Sequence, residues 1–196
     1  MKFINIIIPM LLVFILLIYL KKENTEVVLV RSKIDGREYV VQNKPDRQQA
    51  ADALAQIKRN MSTLLDYCAS KHSKDDRIVR LTQKFDPNAI SEGTEDAKYT
   101  TYTLNKGEKM VFCLRTRDTK DNVHDVNLLT FVAVHEMAHV MTLSEGHTDE
   151  FNKNFQFLIK EAVKAGVYRP EDYRTSPRQY CGISVTDTPL GNEEFK

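Results

Sequence analysis

The sequence predicts an α+β fold: a small domain with a short antiparallel sheet packed on a central helix and its neighbours, preceded by an apolar N-terminal helix. Three observations predict it. Eighteen uncharged residues open the chain at Phe3–Leu20. Two pairs of short apolar, β-branched runs each flank a turn signal, Asp35-Gly36 and Asn105–Glu108. Longer stretches between and after them repeat apolar residues every three to four positions, the period of an amphipathic helix.

The N-terminal run, FINIIIPMLLVFILLIYL, is followed at once by Lys21 and Lys22. Its length falls within the range for a spanning helix and exceeds the apolar core of most signal peptides. The following KKENTEVV offers no small-residue cleavage site, so residues 1–22 are expected to be an uncleaved transmembrane anchor. Lys21, Lys22, Arg31 and Lys33 outnumber Lys2, which by the positive-inside rule places the C-terminal part in the cytoplasm. Residues 23–185 then form the folded domain and 186–196 a C-terminal tail.

The remaining elements follow in order. Residues 26–33 and 37–42 read as strands joined at Asp35-Gly36, a two-residue hairpin signal. From Asp46 to about Ser70, Ala50, Leu54, Ile57, Met61, Leu64, Leu65 and Cys68 form a helical stripe suited to core packing. A short helix at 74–85 stops before Pro87, and the polar NAISEGTEDAK at 88–98 reads as a loop. YTTYTL (99–104) and KMVFCL (109–114) form a second antiparallel hairpin, turned by Gly107. RTRDTKDNVH (115–124) reads as a solvated loop. A helix over 125–143, capped by Asp125, is apolar on nearly every side and therefore buried. Gly146 breaks the chain, and Thr148 caps a helix over 149–165. The rest, with Pro170, Pro177 and Pro189, reads as irregular with one short strand near CGISV.

Composition narrows the function classes. Lys+Arg 28 against Asp+Glu 27 leaves a net charge of +1, and no basic stripe appears, so nucleic-acid binding through a strong field is not indicated. Cys68, Cys113 and Cys181 are odd in number and lack C-x-x-C spacing. They read as free thiols of a reducing compartment, with one disulfide and a leftover thiol as the alternative.

The chemistry concentrates in VHEMAHVMTLSEGHT, 134–148. His135 and His139, four apart on a helix, lie on one face and can grip a single ion. Glu136 is rotated by about 100°, so it can reach a metal-bound water without being a ligand. Three imidazoles with an open fourth position are the ligand set of a catalytic zinc site, and H-E-x-x-H on a helix is the pattern of zinc peptidases. His147 is first choice for the third ligand; Glu145, Glu150 and Glu161 are its rivals. His72 and His124 are distant in sequence and expected at the surface. The expected activity is hydrolysis of peptide bonds in a protein or peptide substrate, with Zn2+ as cofactor and Glu136 as general base. The alternative is a zinc-stabilised, membrane-tethered binding protein without catalysis. Tyr173 or Tyr180 could help hold an oxyanion, although packing is the simpler reading of both.

HEMAHVMTLSEGHTDEF, with its H-x-x-x-F step from His147 to Phe151, resembles the WLM and SprT-like metallopeptidases. KIDGREYVVQNKPD, KYTTYTLNKGEKMVFCLR and YCGI are similar to membrane-anchored WLM-like metallopeptidases of large DNA viruses. The resemblance implies a zincin-like domain and a viral protein. It also implies zinc held by His135, His139 and a third histidine at the start of the next helix. In gluzincins the third ligand lies on that following helix, which is where Glu161 falls. By the same likeness the strand at 109–114 would pair with an extended peptide substrate. The gap from His139 to His147 is longer than the usual WLM spacing, and no SUMO-binding or DNA-binding appendage is recognisable.

Overall fold

The computed structural model describes residues 4–23, 25–94, 100–118 and 120–195, with the side chains of 4–6 and 17–23 outside the description. Strands β1 (Val27–Arg31) and β2 (Glu38–Gln42) pair antiparallel, from Val27↔Gln42 to Arg31↔Glu38. Their connection is longer than the expected two-residue turn. Ser32 N–H donates to Arg37 O at 2.8 Å, enclosing residues 33–36. A tight hairpin at Asp35-Gly36 would need positive φ at both residues, and only Gly36 has it, at 71°. The Asp35 carboxylate instead accepts from Arg37 N–H and the Tyr39 hydroxyl.

The helix α2 (Arg47–Lys71) buries Leu54, Ile57, Met61, Leu64 and Cys68 along the predicted stripe. It packs on β1, β2 and three other helices: α3 (Asp76–Lys84), α4 (Val126–Met141) and α5 (Asp149–Lys164). These helices enclose one apolar core.

The second sheet has three strands where two were expected. β3 (Ile90–Glu92) runs parallel to β5 (Lys109–Phe112), and β4 (Tyr102–Leu104) runs antiparallel to it, giving the order β3-β5-β4. Ser91 and Glu92 made β3 look like loop, yet both are buried. Tyr99, the expected start of β4, lies outside the described residues, as do 95–98 of the expected loop. At the β4–β5 turn a Cβ on Gly107 (φ 118°) would come 2.5 Å from the Lys84 carbonyl oxygen, so only glycine fits. The expectation that the strand at 109–114 pairs with substrate is corrected by this order: β5 is bonded on both sides, and the edge strands are β3 and β4.

Beyond α5, β6 (Arg178–Tyr180) and β7 (Ile183–Val185) form a hairpin rather than a single strand. Cys181 (φ 48°) and Gly182 (φ 84°) supply the two left-handed residues of its turn. Residues 188–195, expected as a tail, lie against α5: Gln156 donates to Pro189 O at 2.9 Å, Lys160 pairs with Glu194 at 2.8 Å, and Leu190 is buried.

Further expectations are overturned. Among the described residues no helix is long and apolar enough to cross a membrane. Helix α1 (Ile4–Glu23) forms, but it contains Pro9 and ends on Lys21, Lys22 and Glu23. Phe3, the expected start of the run, lies outside the described residues. The single-pass anchor and the membrane partner are therefore withdrawn. Cys113 and Cys181 are not free thiols but a disulfide, leaving Cys68 alone and buried. Sequence separation of 68 hid this pairing, which arises because the β6–β7 turn lies beside the end of β5. The cytoplasmic reading loses both of its supports. Arg115 is not in a solvated loop: it is 3 % exposed and bonded to Glu92 at 2.7 Å. His124 is likewise buried, where its Nε2 accepts from Cys181 N–H at 3.3 Å.

Candidate metal centre

α4 carries the site because its ends are pinned. Asp125 caps the N-terminus by accepting from Asn127 and Leu128 N–H. Arg80 donates to the Met141 carbonyl at 2.6 Å, and Asn60 on α2 donates to Thr130 at 2.9 Å. Leu128, Leu129, Val132, Met137, Val140 and Met141 are buried around it. With the helix unable to rotate, His135 and His139 face one cleft.

The third histidine is delivered by the loop between α4 and α5. Glu150 holds this loop: its carboxylate accepts from Leu143 N–H and Ser144 N–H, each at 3.0 Å, and from the Ser144 hydroxyl at 2.8 Å. These bonds hold the Glu150 carboxyl down at about 2. Lys106 donates to Leu143 O at 2.7 Å, and Gly146 turns the chain at φ 77°. Thr148 then caps α5 by accepting from Phe151 N–H. The long gap after His139 is thus a braced loop that brings His147 back over α4.

His135 Nε2 lies 3.2 Å from His139 Nε2 and 3.1 Å from His147 Nε2. One ring nitrogen of each of the three lies within 4.8 Å of the others, close enough to bind one metal ion. Phe151 stacks on His139 with centroids 4.2 Å apart, and Phe155 meets His135 edge-on. Burial, reinforced by the neighbouring imidazoles, pushes His135 down to about 3; burial likewise pushes His139 down to about 4. The two rings are therefore neutral donors, the form a cation requires. Glu136 is 6 % exposed, and the Thr103 hydroxyl on β4 donates to its Oε2 at 2.8 Å. Burial pushes its carboxyl up to about 6, with the Thr103 bond opposing.

The rivals of His147 are engaged elsewhere. Glu150 braces the loop, and Glu161 bonds His72 at 3.0 Å and Lys164 at 2.6 Å on the far side of α5. Glu145 is exposed beside the cleft, outside the histidine cluster. Tyr173 is fully buried against Tyr168 and does not reach the site. Tyr180 does border it, but its hydroxyl donates to Cys113 O at 2.8 Å and is bonded to Thr101. Sequence reasoning missed Thr103, Phe131, Val132 and Val185, which also border the site. No local signal marks a β-strand threonine or a core valine as a site residue.

Fold and site together define an α+β protein whose buried H-E-x-x-H helix and following loop bring three histidines close enough to bind a metal ion. The chain belongs to the same family as an uncharacterized protein of Acanthamoeba polyphaga mimivirus, to which it is 34% identical over 191 residues, 95% of this chain and 96% of that one. It is also similar to uncharacterized proteins of two iridescent viruses. Identity is 39% over 83 residues with that of Invertebrate iridescent virus 3, covering 42% of this chain and 49% of the relative. With that of Invertebrate iridescent virus 6 it is 33% over 81 residues, covering 41% and 44%. These relatives are virus proteins. No family model matches the chain, and no solved structure matches it.

Proposed function

We propose that this protein is a zinc-dependent metallopeptidase of the WLM/SprT-like H-E-x-x-H class. The observation that carries the reading is the convergence of His135, His139 and His147 with a buried carboxylate, Glu136, alongside. The donor set suits zinc: three imidazoles leave a fourth position for water, whereas a structural site favours four protein ligands. Zinc held there would lower the pKa of its water toward neutrality and polarise a carbonyl.

The chain's own residues supply the rest. Glu136 accepts the proton of the attacking water and returns it to the departing amine. Thr103 holds one Glu136 oxygen at 2.8 Å and so leaves the other to act. The buried apolar side chains of α4 back the site on its core side, which lowers the local dielectric and strengthens its electrostatics. β4, an edge strand that supports Glu136 through Thr103, is where an extended peptide would add as a further strand.

Glu136→Gln is the deciding variant. It is expected to retain one equivalent of zinc by metal analysis. Cleavage of a broad peptide library should fall by roughly 10²–10⁴-fold, the usual contribution of a general base. Undiminished cleavage by this variant would remove Glu136 from the mechanism. Zinc uptake by a wild-type chain that cleaves nothing would favour a non-catalytic, zinc-stabilised binding protein.

A further inference from the structure

Three openings meet at the histidines, and they differ in chemistry. One, of about 290 Å³, lies along β4 and is bordered by Thr103, Lys106, Ser144 and Glu145. A second, of about 470 Å³, lies along α5 and is bordered by Asn152, Lys153, Gln156 and Asp187. The third, of about 370 Å³, lies between α4 and the β6–β7 hairpin; Phe131, Val132, Tyr180, Ile183 and Val185 form most of its wall, with hydroxyls from Thr100, Thr101 and Ser184. Lysine and carboxylate side chains border the first two. Apart from Glu136 and the histidines themselves, the third is bordered by no lysine, arginine or carboxylate among the described residues.

We propose that this third cavity is a specificity pocket that takes an apolar side chain, leucine-sized or aromatic, from the peptide residue next to the bond being cut. The assignment rests on the metallopeptidase reading and names the substrate class it selects. Position supports it first. Phe131 and Val132 stand four and three residues before His135, so on a helix they project from the same side one turn back. A peptide whose carbonyl sits at the histidines therefore has one neighbouring side chain over this opening. Chemistry supports it second. A charged side chain entering here would lose its water and find only hydroxyls and the Glu136 carboxylate that Thr103 already bonds, whereas an apolar one is removed from water onto the aromatic and aliphatic part of the wall. The Tyr180 hydroxyl provides no free polar group, because Cys113 O and Thr101 already engage it. Rigidity supports it third. The Cys113–Cys181 disulfide and the Tyr180 bond to Cys113 O tie the hairpin wall to β5, so the pocket keeps its depth.

The test measures binding, so that it does not depend on turnover. The zinc-loaded full chain is titrated by calorimetry with short peptide hydroxamates that carry leucyl, phenylalanyl, alanyl, aspartyl or lysyl side chains. Leucyl and phenylalanyl probes are expected to bind tighter than aspartyl and lysyl ones by roughly 10–200-fold, the range an apolar pocket supplies. Val185→Phe should fill the cavity and move the preference to the alanyl probe by about tenfold, with zinc uptake unchanged. Should that variant fail to fold, Ile183→Asp, at a position 51% exposed on the rim, is expected to raise lysyl over leucyl binding. Equal binding of leucyl and aspartyl probes to the wild-type chain overturns the pocket. So does a ranking that survives substitution at the wall. The ranking without cleavage of any peptide leaves the pocket standing and removes catalysis; cleavage without any ranking does the reverse.

Discussion

Two polar clusters of the described residues, one around Arg115 and one around His135, are built on opposite plans. Around Arg115 opposite charges meet, although its Nη2 is buried without a hydrogen-bond partner. Its guanidinium bonds Glu92 at 2.7 Å and also pairs with Asp46, while Glu92 accepts from Gln42 N–H at 2.7 Å. The Arg115 side chain is 4% exposed and that of Glu92 0%. Around His135 nothing closes. Three like groups point ring nitrogens at one spot, no carboxylate joins them, and His135 Nε2 faces two partners at once. A neutral imidazole nitrogen is either donor or acceptor, so three cannot satisfy each other at a single point. A self-compensated cluster ties β2, β3 and the start of α2 into one fold. A convergent, uncompensated one is built for a cation.

The contrast can be broken from either side. The largest effect is expected from Arg115→Met, which strands the Glu92 carboxylate in the interior. It should cost about 3–5 kcal/mol of stability in urea unfolding, as removal of one partner from a buried pair does. Zinc uptake per folded molecule should not change. A stable Arg115→Met chain that no longer takes up zinc would reverse the roles of the two clusters.

Next in size is the metal itself. Zinc at a hundred times its dissociation constant should stabilise the chain by about 2.7 kcal/mol, read as a rise in Tm. His139→Ala should abolish that rise and leave the metal-free Tm much less affected. A Tm indifferent to zinc in the wild-type chain would mean that the histidines do not form a metal site.

Thr103→Val sharpens the comparison with the smallest effect. Its hydroxyl supports Glu136 from β4. Losing this hydrogen bond should cost about 0.5–1.5 kcal/mol, seen as a several-fold fall in kcat/KM at unchanged zinc uptake. Thr103→Ser should restore most of the loss. A Thr103→Val chain that no longer takes up zinc would show that Thr103 acts on the metal centre and not through Glu136.

Much of the helical frame was legible because its signals are local. The stripe from Ala50 to Cys68 anticipates α2, and Asp125 and Thr148 are the caps of α4 and α5. The β4–β5 hairpin was legible through Gly107. β3 was not, because Ser91 and Glu92 look solvated until Arg115, 23 positions from Glu92, arrives to bond the carboxylate. The N-terminal run misled in a different way. Hydropathy reports apolarity but not whether a helix of the required length and character results.

Spacing along the chain sufficed for the two histidines four apart, for the glutamate beside them, and for a third histidine placed ahead of a capped helix. Helical geometry is local: 3.6 residues per turn places such groups without reference to anything distant. The closing of the loop onto Glu150, the Thr103 hydroxyl on Glu136, the Cys113–Cys181 bond and the apolar wall of β6 and β7 belong to tertiary structure alone. Each joins segments that no periodic pattern links, and each exists only once burial of the common core has brought those segments together.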